Sequence, residues 1–518
     1  MTGAEPFYVT TPIYYVNDAL HLGHAYTTVA CDALARFMRL DGRPVHFLTG
    51  TDEHGQKVEK SAQAAGLDPQ TFCDRASQKA RDMTVLMNIS NDDFIRTTEP
   101  RHTRSCQALW RAIAARKTPK GRDNIYLGKY AGWYAVRDEA FYGEDELTTG
   151  ADGKKRAPSG AEVDWVEEPS YFFRLSDWAD WLVGHYERHP EAAAPAARRN
   201  EILSFVKGGL HDLSISRTTF TWGIPVPGDE THIMYVWFDA LINYITGVGY
   251  PDIESAAFKT FWPADLHMVG KDIIRFHGVY WPAFLEAGGV APPKRVFAHG
   301  WWTVEGEKMS KSLGNVIPPE ALVDKYGLDP LRYFMLRELP FGSDGDFSHR
   351  AMVNRINGDL ANGLGNLAQR TLTLINRNCD ARVPSPGALT AADEALLDAA
   401  RALLPRLRAD YAEQAFHRAL EALWQVVAEA DRYIDEQKPW ALRKTDAARA
   451  GTVLYVLAEV VRHLATLMQP IVPDAAAKLL DQLAIPPTQR SFAALATALA
   501  ADTVVPKPEG VFPRYVEG

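Results

Sequence analysis

Two short strings of this chain carry residue types that can handle phosphate. The first is His21-Leu22-Gly23-His24, placed where a strand gives way to a helix. Gly23 permits close backbone approach, the helix start offers unpaired N–H groups, and two imidazoles can donate to phosphate oxygens. The second is Lys308-Met309-Ser310-Lys311-Ser312, bounded by Gly306 and by Leu313-Gly314-Asn315. A glycine-bounded loop with two lysines and two serines can close over a polyphosphate and bring cations to where negative charge develops. Each string alone is a weak signal: paired histidines are common in cores, and lysine-rich loops are usually solvated. Their joint presence at long separation is the informative observation.

The elements that must position them alternate between strand and helix. Phe7-Tyr8-Val9-Thr10-Thr11 reads as a strand ended by Pro12, His24 onward as a helix through Leu34, Phe37, Met38 and Leu40, and Val45-His46-Phe47-Leu48 as a second strand running into polar Thr49 to Gly55. This alternation predicts an α/β fold with a Rossmann-like parallel sheet whose ligands gather beyond the strand ends. Around residue 116 the texture turns rich in tyrosine and glycine. Sheet-like texture resumes at Ile233-Met234-Tyr235-Val236-Trp237-Phe238, then at Leu266 to Val269 and Val296 to Ala298. The expected organisation is a catalytic domain in two halves, 1–115 and 226–295, split by an insertion domain at 116–225. The Lys308–Ser312 loop lies in a region at 296–350, and an α-helical domain covers 351–518.

The helical part shows three apolar stripes: Leu396, Leu397, Ala400, Leu403, Leu404 and Leu407 after a capping box at Thr390–Asp393; Phe416, Leu420, Leu423, Trp424 and Val427; and Leu454, Leu457, Val460, Val461, Leu464, Leu467 and Met468. Three amphipathic helices in sequence predict a bundle.

Composition narrows the class. With 518 residues, 46% hydrophobic, 23% charged and a net charge of -9, the chain is an ordinary multidomain globular protein and not a nonspecific nucleic-acid coat. No apolar run approaches the ~18 residues of a membrane span, and the N-terminus reads as free of a secretory leader, so a cytoplasmic protein with no membrane contact is expected. Cys31, Cys73, Cys106 and Cys379 are far apart and form no Cys-x-x-Cys pair.

Together the two strings resemble the HIGH and KMSKS signatures of class I aminoacyl-tRNA synthetases. Thr11-Pro12-Ile13-Tyr14-Tyr15-Val16-Asn17, Gly50-Thr51-Asp52-Glu53-His54-Gly55, Tyr235-Val236-Trp237-Phe238-Asp239-Ala240 and Gly270-Lys271-Asp272-Ile273-Ile274-Arg275-Phe276-His277 are similar to the methionyl-tRNA synthetase family. So are Asn366 to Arg370 and Glu436 to Trp440, so the likeness covers nearly the whole chain.

The resemblance implies an enzyme that joins L-methionine to ATP, with Mg²⁺, and passes the methionyl group to tRNA(Met), initiator and elongator alike. It implies His21 and His24 on the triphosphate, Lys308 and above all Lys311 on the transition state and pyrophosphate, and Gly23, Gly270 and Asp272 on the adenosine side. It places Asp52 on the methionine ammonium group, with Ile13, Tyr15, Trp237, Ala240, Tyr244, Ile273, Phe276 and His277 as the pocket wall, and Asn366, Arg370 and Trp440 on the anticodon.

Two departures follow. Ala135 stands where cysteine is common in the family and no cysteine lies between Cys106 and Cys379, so no structural zinc and no metal-ligating residue is expected, Mg²⁺ arriving with ATP. The chain also lacks, after its helical part, the module that dimerises some relatives, and a monomer is expected. Relatives specific for other amino acids stay open, although those for leucine, isoleucine and valine carry larger editing insertions. A noncatalytic RNA-binding protein is disfavoured by the retained histidines and lysines. A small-molecule nucleotidyltransferase would have no use for the helical domain.

Overall fold

The computed structural model describes residues 5–17, 20–138, 140–150, 152–308 and 316–517. The chain forms two compact units, one of residues 6–20 with 46–299, the other of residues 21–45 with 300 onward.

The first unit is built on a seven-stranded sheet. Its strands are β1 (Phe7–Thr10), β2 (Tyr14–Tyr15), β3 (Val45–Asp52) and β4 (Asp93–Arg96), with Ala193–Ala194, Leu266–Gly270 and Val296–His299. The order is Ala193–Ala194, Val296–His299, Leu266–Gly270, β1, β3, β2, with β4 also on β3. The pairings of β1 with Leu266–Gly270, of that strand with Val296–His299, and of β3 with β2 and β4 are parallel. β1 and Val296–His299 are buried at every residue, which is why these strands read as continuous apolar runs without alternation. The helix α1 (Leu22–Leu40) follows β2 in sequence and belongs to the second unit; α2 (Gln56–Ala64), α3 (Pro69–Leu86) and α4 (Pro100–Ala114) belong to the first.

Between α4 and the returning sheet strands lies an antiparallel sheet ordered Leu213–Ser214, Asp164–Phe173, Ile125–Ala135, Ala140–Tyr142. At its far end Ala135 is fully buried against Ala157, Ala161 and Val163, flanked by Trp133, Tyr142 and Leu147. Residues 193–194, inside the expected insertion range, pair in parallel with Val296–Phe297.

Residues 235–238, expected as strand, are not. The strand Asp229–Met234 stops there, Tyr235 caps, and Val236–Leu241 is helical. A short apolar run does not distinguish a buried strand from a buried helix, and Asp239 in the first turn favours the helix through its dipole.

The second unit is helical. Two of the three expected stripes differ from expectation. The first divides into Ala391–Arg401 and Leu403–Ala412, because Pro405 has no N–H to give the Arg401 carbonyl. The capping box stands, with Asp393 Oδ2 accepting from the Thr390 N–H at 2.8 Å. The third helix, Ala447–Met468, is buried on every side from Thr452 to Met468 instead of being amphipathic. Its charged residues satisfy one another: Arg462 donates to both Glu459 oxygens at 2.8 and 2.7 Å. By length and composition this helix could cross a membrane, yet 94% of its most apolar window is buried within the protein.

The C-terminal half of α1 packs against the rest of this unit. Phe37 stacks on Tyr411 at 3.9 Å, and Arg408 donates to both Asp41 oxygens. Arg332, fully buried, donates to Asp32 at 2.6 Å and to the carbonyls of Pro470 and Ile471. Stranding one partner of such a buried pair generally costs about 3–5 kcal/mol, so the phosphate-motif helix is firmly fixed within its unit.

Candidate active site

His21 is the N-cap of α1. Its Nδ1 accepts from the Gly23 N–H at 3.1 Å, and His24 Nδ1 accepts from the His21 N–H at 3.2 Å, a reciprocal cap in imidazoles. The rings lie 4.1 Å apart. With each Nδ1 accepting, a neutral ring carries its proton on Nε2, so both residues present an Nε2–H donor at a helix N-terminus, where the dipole also favours an anion. A Cβ on Gly23 would come within 2.9 Å of the His21 ring, so glycine keeps this cap closed.

In the same unit, Glu305 and Gly306 take positive φ in a tight turn, and Glu307–Lys308 pairs antiparallel with Trp302–Val304. Lys308 therefore starts the loop from the end of a hairpin. Met309 to Asn315, Lys311 included, lie outside the described residues.

The residues expected around the amino acid lie in the first unit. Asp52 ends β3 and pairs in register with Tyr15 of β2. Tyr15 packs with Val16, Val58, Cys73 and Trp222, while Ile13, Trp237, Ile273 and Phe276 pack on the core that holds Tyr244. Trp237 and Phe276 are stacked at 3.7 Å with planes 5° apart, and His277 meets Trp237 at a steep angle 6.2 Å away. Ala240 lies one turn along the helix from Trp237. Gly270 ends the strand Leu266–Gly270 and Asp272 follows it, and a Cβ on Gly270 would meet the Asp272 carboxylate at 2.6 Å.

His277 is held neutral. Burial pushes its pKa down to about 4, while the bond from Nδ1–H to the Ile273 carbonyl at 3.0 Å only partly offsets this. With Nδ1 donating, Nε2 accepts from the Tyr244 hydroxyl at 2.7 Å, so His277 has one defined tautomer. The unfolded chain has a histidine pKa of about 6.5 and therefore takes up the proton first as pH falls. The stability from this residue is present above about pH 6.5 and is lost toward pH 4, by about 3 kcal/mol at most. Urea titrations should show stability falling between those values, with a shallower fall in His277→Gln; identical pH profiles for the two proteins would contradict the assignment.

The residues expected at the anticodon lie in the second unit. Asn366 and Arg370 are one turn apart on the helix Asn366–Asn378. Arg370 donates to Asp435 at 2.6 Å, and its guanidinium stands 5.7 Å from the Trp440 ring, which is 42% exposed. Trp440 is thus not a core residue, and Asn366 is exposed.

Comparison with known proteins decides the family. Residues 7–372 match the tRNA synthetases class I (M) family, and residues 383–517 match the anticodon binding domain of methionyl tRNA ligase. The chain belongs to the class I methionyl-tRNA synthetases. A methionine–tRNA ligase of Mesorhizobium japonicum is 58% identical over 99% of this chain and 98% of its own length. One from Mycobacterium tuberculosis is 53% identical over 99% and 98%. A solved methionyl-tRNA synthetase of Mycobacterium tuberculosis, in complex with methionyl-adenylate, superposes with a TM-score of 0.95 at 52% identity, covering 99% of this chain and 100% of that one.

One group in this methionyl-tRNA synthetase escaped the sequence reading: His54, His102 and Asp239. Asp239 Oδ2 accepts from His54 Nδ1 at 2.7 Å and Oδ1 from His102 Nε2 at 2.7 Å. Burial alone would raise the Asp239 pKa, but His54 and His102 outweigh it and hold the carboxyl down at about 2. The signal was a carboxylate inside an apolar run, but its two partners lie 185 and 137 residues away and share no motif with it.

Proposed function

We propose that this synthetase activates L-methionine with ATP, giving methionyl-adenylate and pyrophosphate, and transfers the methionyl group to the terminal adenosine of tRNA(Met), initiator and elongator. The observation that carries this reading is the full-length match to methionine–tRNA ligases, at 58% identity over 515 residues in one case.

The first step is in-line attack of the methionine carboxylate on the α-phosphorus, with pyrophosphate leaving. The nucleophile is already ionised, so no base has to deprotonate it, and catalysis reduces to positioning and charge stabilisation. His21 and His24 donate from Nε2 to the triphosphate, Lys308 and Lys311 meet the charge that grows on the departing pyrophosphate, and Gly23, Gly270 and Asp272 hold the adenosine side. Asp52 takes the ammonium group. Tyr15, Trp237, Phe276 and His277 give the thioether an aromatic surround, worth about 0.3–1.5 kcal/mol per sulfur contact. In the second step the ribose hydroxyl attacks the methionyl carbonyl and AMP leaves.

Mg²⁺ bound to the triphosphate would neutralise phosphate charge and needs no dedicated protein cage. Among the described residues the one cluster of three close ligand atoms is His102, Cys106 and Asp239, whose nitrogen and sulfur donors do not suit this hard cation.

The insertion domain is proposed to be zinc-free. The buried cluster of Ala135, Ala157, Ala161 and Val163 supports this, as do hydrogen bonds from Tyr142 to Asp138 and from Arg137 to the Ser159 carbonyl, which tie the same end together. Elemental analysis should find less than about 0.1 zinc per chain, and one zinc per chain would contradict it. All four cysteines are free thiols, in keeping with a cytoplasmic protein, and a monomer completes the reading.

Exposed Trp440 beside Arg370 is suited to stacking on an unpaired base, worth about 1–3 kcal/mol. Trp440→Ala should leave methionine activation unchanged and lower kcat/KM for tRNA charging by about 10–100-fold. Loss of both activities would point to misfolding and against the role. Charging of tRNA(Met) with labelled methionine by the unmodified enzyme tests the function as a whole; acceptance of another amino acid in its place would overturn it.

A further inference from the structure

Asp52 is the anion proposed to hold the methionine ammonium group, and the residues after it are clamped by separate buried partners. The Glu53 carboxylate accepts from Arg96 at 2.7 and 3.0 Å, from the Thr51 hydroxyl at 2.6 Å and from the Thr98 hydroxyl at 2.5 Å, and the Glu53 N–H donates to Thr97 Oγ1. The Glu53 carbonyl accepts from Trp222 Nε1 at 2.6 Å. This set ties the end of β3 to the segment that follows β4. His54 reaches a different element: its Nδ1 donates to Asp239 Oδ2, on the helix Val236–Leu241 that carries Trp237 and Ala240.

Asp239 is itself fixed. It is fully buried, and its second oxygen accepts from His102 on α4, whose other ring nitrogen lies 3.2 Å from Thr246 Oγ1. Cys106, one turn along α4, places its sulfur 3.2 Å from the same His102 nitrogen that faces Asp239. A carboxylate held from two sides by imidazole N–H donors cannot shift without breaking a charge-assisted bond in a dry environment.

We infer that the His54–Asp239 bond is a positioning contact that sets the distance between the ammonium anchor at Asp52 and the side-chain wall at Trp237 and Ala240, and so the length of amino acid the enzyme accepts. The inference deepens the proposed activity and rests on it. The two halves of the pocket come from different elements, the end of β3 and the helix Val236–Leu241. The His54–Asp239 bond joins them, two residues after Asp52 on one side and two after Trp237 on the other. No group in it needs to touch substrate or exchange a proton during the reaction. Its effect should appear in amino-acid binding and discrimination, leaving ATP untouched.

The experiment is steady-state pyrophosphate exchange on the full chain, comparing wild type with His54→Ala and His54→Asn. The substrates are methionine, its one-methylene-shorter analogue S-methylcysteine and its one-methylene-longer analogue ethionine. Asparagine places its amide nitrogen where imidazole Nδ1 stands, so it keeps a donor toward Asp239. For His54→Ala the KM for methionine should rise about tenfold or more, the preference for methionine over the two analogues should shrink by a similar factor, and the KM for ATP should stay within about twofold. His54→Asn should restore methionine KM to within about threefold of wild type.

An unchanged methionine KM in folded His54→Ala would overturn the inference. So would a joint rise in both KM values, or a His54→Asn as defective as the alanine variant. If His54→Ala does not fold, the same split is read on Asp239→Asn, which keeps the volume but loses the charge that both histidines address; a uniform loss there counts against the inference. A stoichiometric metal ion retained through dialysis against chelator and lost in His102→Ala would also overturn it, because the cluster would then be a ligand set. Wild-type exchange with methionine is the control: its absence defeats the proposed activity itself, whereas its presence beside unaltered variants defeats only the positioning role.

Discussion

Lys311→Ala should slow methionyl-adenylate formation by about 10²–10³-fold while leaving the affinity for methionine within about twofold of wild type. Charge on the departing pyrophosphate grows only on the way to the transition state, so a cation that meets it there contributes to rate and not to ground-state binding of the amino acid. Rapid-quench measurement of adenylate formation, together with equilibrium binding of methionine, separates the two. Equal losses in rate and methionine affinity would show that Lys311 supports the fold or the amino-acid pocket instead. The flanking Gly306 and the hairpin that ends at Lys308 explain how such a loop can start from a rigid base.

Asp52→Asn should reduce kcat/KM for methionine in pyrophosphate exchange by about 10²–10³-fold, with KM for ATP held within about twofold. The side chain is only 9% exposed at the end of β3, beside Tyr15 and a few residues from the clamps on Glu53 and His54. An ammonium group brought to a largely dry site needs a countercharge. Replacing that charge with an amide of equal size removes the attraction without opening a cavity, and unpaired burial of a charge costs several kcal/mol. A loss smaller than about threefold, or one shared equally with ATP, would move the ammonium anchor elsewhere.

The two strings proposed to handle phosphate stand out in the sequence because each is a local device. A strand end, a glycine and a helix start occur within a few residues at His21 to His24, and the structure adds only that the two imidazoles cap the helix reciprocally. Trp237 and Phe276 were grouped through likeness to a family, not through periodicity: they stack although 39 residues separate them in the numbering, which no local pattern encodes. The same limit hid Asp239, whose partners His54 and His102 are 185 and 137 residues away in the chain. Secondary structure failed where two physical readings compete. Val236 to Leu241 is apolar enough for strand or helix, and the acidic residue in its first turn is the local feature that favours the helix. The helix Ala447–Met468 hides a buried Glu459–Arg462 pair that a hydropathy stripe counts as a solvent face. Pro405, by contrast, was in plain view, and its missing N–H was the signal for the break at Ala402.

The proposed function stands or falls on amino-acid specificity in the activation step. It is tested most directly by exchange of labelled pyrophosphate into ATP without tRNA, with methionine, leucine, isoleucine, valine and cysteine offered in parallel to folded enzyme with Mg²⁺. Exchange is expected with methionine and, with each of the others, at most about one hundredth of that rate. Exchange led by another amino acid, or none with any of the five, would contradict it.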